Sequence, residues 1–262
     1  MSRLSHKRVF TAVATPALAA ATVLAIASPA SAARGPRAYT ADSAGYSVAH
    51  AQFGTVHLRY VTDTVYLRSP KGFAAIDDGV SWETHLSGTD ANGQPLEVNV
   101  NIGGDPQTQS TYHAWADLNG QPMTTQGTTN FPAGRSVTES IYYNQGTGVV
   151  KVRAFDANGD SFSGSAQVGR VSFVKASIFG GFDPGSSFTA PAAPVKLANF
   201  TNATVTTYSG HRGFEARWYA HSKVFATSDG TASGAVRAAP SDLRQSGSWP
   251  VRSFDVYFES AS

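Results

Sequence analysis

The 262 residues are 41% hydrophobic and 15% charged, with 25 Gly, 13 Pro and no Cys. So few charges and so many apolar residues exclude a disordered chain or a long coiled coil. Without cysteine there is no disulfide framework, thiol nucleophile, thiolate zinc site or thiolate-held iron–sulfur cluster, so any chemistry rests on oxygen and nitrogen groups.

Arg3, Lys7 and Arg8 precede a mostly apolar run from Val9 to Ala27, and Ala30-Ser31-Ala32 offers a small-x-small cleavage pattern. Residues 1–32 therefore read as a secretory signal peptide, and 33–262 as a single extracellular domain beginning at Ala33. Thr15-Pro16 interrupts the apolar run and no basic stop-transfer segment follows, which argues against a membrane anchor. No later segment has the length and apolarity to span a bilayer. The leader holds three of the 20 Lys and Arg and none of the 18 acids, which leaves 17 bases against 18 acids. The pI of 8.8 thus belongs to the precursor, and no basic stripe in the mature chain argues for nucleic acid.

Beyond the leader, apolar residues alternate instead of recurring at helical spacing. Residues 58–67 place Leu58, Tyr60, Thr62, Thr64 and Tyr66 on one side and Arg59, Val61, Asp63, Val65 and Leu67 on the other, which predicts a strand buried on both faces. From 96 to 103, Leu96, Val98, Val100 and Ile102 alternate with Glu97, Asn99, Asn101 and Gly103, which predicts one core face and one polar face. Residues 112–118 form the next strand, with His113, Trp115 and Asp117 on one side. Further strands are predicted at 136–143, 148–155, 161–167, 170–179, 202–208, 214–227, 233–238 and 251–259. Asp90-Ala91-Asn92-Gly93, Asn119-Gly120, Asn144-Gln145-Gly146, Asn158-Gly159 and Asp229-Gly230 supply turns. Thr189 to Pro194 reads as a long surface loop. With no amphipathic helix in the series, the predicted class is all-β, an antiparallel β-sandwich of two sheets or a barrel, with the sandwich leading.

Familiar catalytic signatures are missing: there is no GxSxG elbow, HExxH, P-loop or ExDxE strand. Asp156, Asn158 and Asp160 imitate the start of a calcium loop, but Ser161 stands where glycine is needed and Gln167 where the bidentate glutamate belongs, so a hairpin turn explains them. His50, His57, His85, His113, His211 and His221 show no metal-binding spacing and read mostly as surface or satisfied structural residues. No metal and no cofactor is expected. His113 stands apart because it shares a strand face with Trp115 and Asp117.

Val98-Asn99-Val100-Asn101-Ile102-Gly103-Gly104-Asp105, followed by Tyr112-His113-Ala114-Trp115-Ala116-Asp117, resembles the segment of the glutamic peptidases (eqolisins) that carries their catalytic glutamine. Aligned on Tyr-x-Ala-Trp, Asn101 falls on that glutamine, Gly103 on a following glycine and Asp117 on a glutamate. Leu197-Ala198-Asn199-Phe200, leading into a Thr-rich strand, is similar to a later family segment, whereas residues 208–262 resemble only uncharacterised secreted proteins. The resemblance implies a concanavalin A-like sandwich of the lectin/glucanase type, with a substrate groove on one concave face. It also implies a glutamate acting as general base and then acid toward a water that the glutamine amide helps to hold. In this chain that glutamate falls on Ala176 or Ile178 of the 170–179 strand; the alternatives Ser172 and Val174 carry no carboxylate either.

Two functions are weighed. One is a secreted, non-catalytic eqolisin-like module binding an extracellular glycan or peptide through Asn99, Asn101, His113 and Trp115. The other is a divergent acid hydrolase in which Asp117 supplies the carboxylate and Asn101 the amide. A surface protein without a ligand is a third reading. The sequence specifies neither ligand nor oligomeric state.

Overall fold

A computed structural model of the chain describes residues 37–49, 57–68, 79–104, 110–182, 193–210, 220–245 and 252–259. Residues 1–32, read from the sequence as a signal peptide, and Ala33, His50, Asp105, Thr189 to Ala192, His211 and the 214–219 part of one predicted strand lie outside these residues. Strands β1 (Arg37–Thr40), β2 (Ser43–Ala49), β3 (Leu58–Tyr66), β4 (Val80–Asp90), β5 (Pro95–Gly104) and β6 (Thr111–Leu118) come first. Three short ones follow: β7 (Gln121–Pro122), β8 (Thr125–Gly127) and β9 (Asn130–Pro132). Next come β10 (Ser136–Asn144), β11 (Val149–Asp156), β12 (Ser161–Gln167), β13 (Val171–Phe182) and β14 (Val195–Thr207). The chain closes with β15 (Ala220–Thr227), β16 (Val236–Pro240), β17 (Arg244–Gln245) and β18 (Arg252–Phe258).

Pairing arranges these strands in two layers. In the first, β6-β5-β4-β13-β2-β15-β1 lie side by side, with β7 and β9 along the outer edge of β6. The second runs β8-β12-β11-β10-β3-β14-β18, with β17 on β18. Strand β16 pairs with both β15 and β18 and so carries the hydrogen bonding from one layer into the other. All pairs are antiparallel except β1 with β15. The fold is all-β, with no helix among the described residues.

Period-2 alternation explains why these segments pair as they do, since a strand with one apolar row can bury that row only in a fixed register. Leu96, Val98, Val100 and Ile102 of β5 turn inward, as do Trp82 and Leu86 of β4 and Tyr112 of β6. Val61 and Val65 of β3, Ile141 and Tyr143 of β10 and Phe254 of β18 meet them from the second layer. Trp82 and Tyr112 pack edge to face at 4.8 Å between ring centroids, a geometry worth about 0.5–1.5 kcal/mol beyond its buried area.

Four expectations change. Strand β3 is buried on one face only: Tyr60, Thr62 and Thr64 are half-buried and Tyr66 is exposed, so the inner row of Val61 and Val65 brings Asp63 into the core with it. The 202–208 strand begins earlier, at Val195, and the 170–179 strand continues to Phe182. Strands β1, β2 and β4 and the short β7, β8, β9 and β17 were not among the predicted elements. In β4 the apolar row is broken by Thr84 and the facing row is mixed, which blurs the alternation.

Candidate functional site

The outer face of β4, β5, β6 and β13 collects the polar residues left over when the apolar rows turn inward. Register fixes the rows across this face. Phe179, Glu83, Asn101 and Trp115 form one, with Ser177, His85, Asn99 and Asp117 beside it. Gly181, Ser81, Gly103 and His113 flank the first row on its other side. All five residues expected to carry function, Asn99, Asn101, His113, Trp115 and Asp117, therefore stand on two neighbouring strands with their side chains on one face.

Two local features set their positions. The Asn119-Gly120 turn closes the β6–β7 hairpin with φ of 52° and 73°, a left-handed pair that favours Asn-Gly. The amide of Gly120 donates to Asp117 Oδ1 at 3.2 Å, and the Asn119 side chain accepts from the amide of Glu97 at 2.7 Å, so the turn locks Asp117 beside β5. At position 103 a Cβ would lie 2.7 Å from the carbonyl of Val80 and 3.0 Å from Trp115 Cη2, so only glycine lets the indole lie against the strand.

Asp117 is held from three sides, since Asn99 Nδ2 donates to Oδ1 at 3.0 Å and Asn101 Nδ2 to Oδ2 at 3.3 Å in addition to the turn amide. Burial raises its pKa above the ordinary aspartate value, against the pull of Gly120 and Asn99. Asn101 is 5% exposed, whereas Trp115 is 38% exposed. The His113 ring lies nearly parallel to the indole, with centroids 6.4 Å apart and planes 12° from each other.

A second cluster, which the sequence reading missed, lies on the other side of Asn101. His85 Nε2 meets Glu83 Oε2 and His85 Nδ1 meets Glu97 Oε1, each at 3.0 Å. Ser81 donates to Glu83 Oε1 at 2.5 Å, and Phe179 packs edge to face on the His85 ring at 5.5 Å. Burial opposes protonation of His85, but the hydrogen bonds and charges of Glu83 and Glu97 outweigh it and push its pKa up to about 9. Burial likewise works against ionised Glu83, yet His85 and Ser81 hold it below the usual glutamate value. His85 lowers Glu97 as well. Asp42, in the turn between β1 and β2, is raised by burial and by the charge of Glu83. The usable signal was the row Ser81, Glu83, His85 alternating with Val80, Trp82 and Leu86; reading His85 as an isolated histidine concealed it.

Ala176 and Ile178 do not lie on this face. Both are fully buried between the layers, aligned with Leu86 and Thr84 of β4, while Ser177 and Phe179 of the same strand face outward beside His85 and Glu83. The alternation of β13 is hard to read because nearly every residue from Ala176 to Phe182 is buried on either side. Asp156, Asn158 and Asp160 form the β11–β12 turn, where Asp156 Oδ1 accepts from the amides of Asn158 and Asp160, and Arg135 pairs with both carboxylates. Among the described residues no group of three or more His, Asp and Glu side chains is arranged to hold a metal.

The carboxyl groups of Glu83, Glu97, Asp117 and Asp42 outnumber the cations His85 and Lys175 here, so the face suits neutral or positively charged ligands better than anionic ones. Its exposed indole offers an apolar platform next to amide donors and carboxylate acceptors. No protein-family model matches the sequence, and no curated protein matches it. The fold is similar to that of scytalido-glutamic peptidase, solved with a transition-state analogue inhibitor, at 15% identity and a TM-score of 0.52 over 82% of this chain and 98% of that one. The chain thus has a glutamic-peptidase-like β-sandwich fold.

Proposed function

We propose that this protein is secreted and non-catalytic, and that it binds an extracellular glycan or extended peptide across the outer face of β4, β5 and β6. The observation that carries this reading is the exposed Trp115 platform with His113 nearly parallel to it, bordered by Asn99 and Asn101. Aromatic faces bind the apolar faces of sugar rings or extended peptide, while amides and carboxylates satisfy hydroxyl and backbone groups. The carboxylates already spend part of their acceptor capacity within the face itself. Both oxygens of Glu83 are engaged by Ser81 and His85, and both of Asp117 by Asn99, Asn101 and Gly120. A general base needs a lone pair directed at the attacking water.

Pull-down on insoluble wall polymers and on immobilised peptides, with the folded fraction measured in parallel, tests this reading. Trp115→Ala should weaken binding by about 2 kcal/mol, the scale of a hot-spot aromatic. Asn101→Ala should cost less, because it removes a single hydrogen bond. A wild-type protein that binds none of these ligands, or a Trp115→Ala variant that melts earlier yet binds equally well per folded molecule, overturns it.

A second reading, a divergent acid hydrolase, is favoured by the convergence of Asn101 with a carboxyl on either side: Asp117 at 3.3 Å and Glu83 directly opposite it on β4. Asp117 is raised and Glu83 lowered, the separation expected of an acid and a base. Turnover of denatured protein substrates between about pH 2 and 7, abolished by Asp117→Asn, would install this reading; the binding proposal expects none.

A further inference from the structure

Asp63 of β3 and Glu139 of β10 occupy directly paired positions, and both turn inward with no exposed surface. Thr84 of β4 donates to Asp63 Oδ1 at 2.9 Å. Asp63 Oδ2 and both oxygens of Glu139 are buried without a hydrogen-bond partner. Two ionised carboxylates placed side by side in an apolar interior would each carry a large desolvation penalty and would repel one another.

The surroundings do not neutralise them. On β4, Glu83 and His85 point to the opposite face, and β5, β11, β13 and β14 turn in mainly aliphatic and aromatic side chains. Asp156, at the end of β11, is ion-paired with Arg135. Tyr112 and Tyr143 donate to the carbonyls of Arg68 and Gly169. Arg252 of β18 pairs with Ala203, so β14 stands between it and β3. The charges acting on Glu139 are those of Asp63 and Glu83, both of like sign.

We propose that Asp63 and Glu139 form a proton-sharing carboxyl pair which, with Thr84, clamps the two layers together and makes this sandwich an acid-favoured fold that loosens as the pair ionises. A proton on one carboxyl donates to a free oxygen of the other and satisfies two of the three orphaned oxygens. Loss of that proton leaves two adjacent anions with a single hydroxyl donor between them. The pair lies behind Thr84, between Glu83 and His85 in sequence, so loosening reaches the strand that presents those residues on the outer face.

Burial supports this by pushing Asp63 up to about 8. Burial, and then the charges of Asp63 and Glu83, raise Glu139 well above the ordinary glutamate value. The folded chain therefore holds protons that the unfolded chain releases near about pH 4. The pair's contribution to stability is whole below that point and is lost as pH rises toward about 8.

Denaturant unfolding of the full chain between about pH 3 and 9, with infrared spectra of the native protein near about pH 6, tests the pair. The wild-type unfolding midpoint should fall from about pH 4 upward, and the spectrum should show a protonated-carboxyl band that is lost on raising the pH. Asp63→Asn and Glu139→Gln should each lessen the decline below about pH 6 relative to wild type, since burial still raises the carboxyl that remains; the comparison cancels the slopes of Asp42 and Asp117, and His85 contributes none in this range because it is protonated in both states. An unchanged slope in both variants, or no protonated-carboxyl band in the wild-type protein, overturns the proposal. The wild-type spectrum decides the matter if neither variant folds.

Discussion

Replacing His85 with Gln removes the cation that joins Glu83 to Glu97 while leaving a neutral side chain that still donates hydrogen bonds through its amide nitrogen. The size of the effect follows from the titration of the imidazole. Its pKa of about 9 in the folded protein stands well above the value of about 6.5 for a free histidine, which corresponds to about 3 kcal/mol favouring the charged form. His85 is 17% exposed, but the Glu97 side chain is 50% exposed, so screening brings the expected figure to about 2–3 kcal/mol. The lowered values of Glu83 and Glu97 report the same interaction and add nothing further. A raised histidine stabilises fully below its unfolded value, and that stability is lost as pH rises through the folded one. Urea unfolding followed by tryptophan fluorescence should therefore find His85→Gln less stable than wild type by about 2–3 kcal/mol near about pH 6, with the two curves converging above about pH 9. Taking the difference cancels the slope from Asp63 and Glu139. A difference that is independent of pH, or that grows toward alkaline pH, would refute the assignment of His85 as a charged bridge.

Gly103→Val should strain the β4–β5 pairing and displace Trp115, because the added Cβ meets the Val80 carbonyl at 2.7 Å and the indole at 3.0 Å. The expected cost is about 1–3 kcal/mol, with a changed indole emission; an unchanged melting temperature and spectrum would show that the indole does not rest on this strand. Secreted material should begin at Ala33, and intact mass that retains residues 1–32 would remove the extracellular assignment.

Alternation alone determined that Leu96 to Gly103 is a strand with Asn99 and Asn101 on its polar side, and that His113, Trp115 and Asp117 share a face of the next one. These conclusions are local: side chains in a strand alternate by geometry, and the Asn119-Gly120 turn sets the hairpin that follows. Which strands become neighbours is a different kind of question. Glu83 and His85 join Asn101 and Asn99 through the local β4–β5 hairpin, but Phe179 and Ser177 join the same rows only because β4 also pairs with β13, which is far away in sequence. Asp63 and Glu139, 76 positions apart in sequence, meet through long-range pairing of β3 with β10. Their alternating rows were visible, yet a carboxylate in an otherwise apolar row reads as a surface residue until the opposite layer covers it. The tertiary structure alone decided that β13 completes the face of Asn101, and that two carboxyls lie where water cannot reach them, because long-range pairing and burial depend on what the rest of the chain brings to each surface.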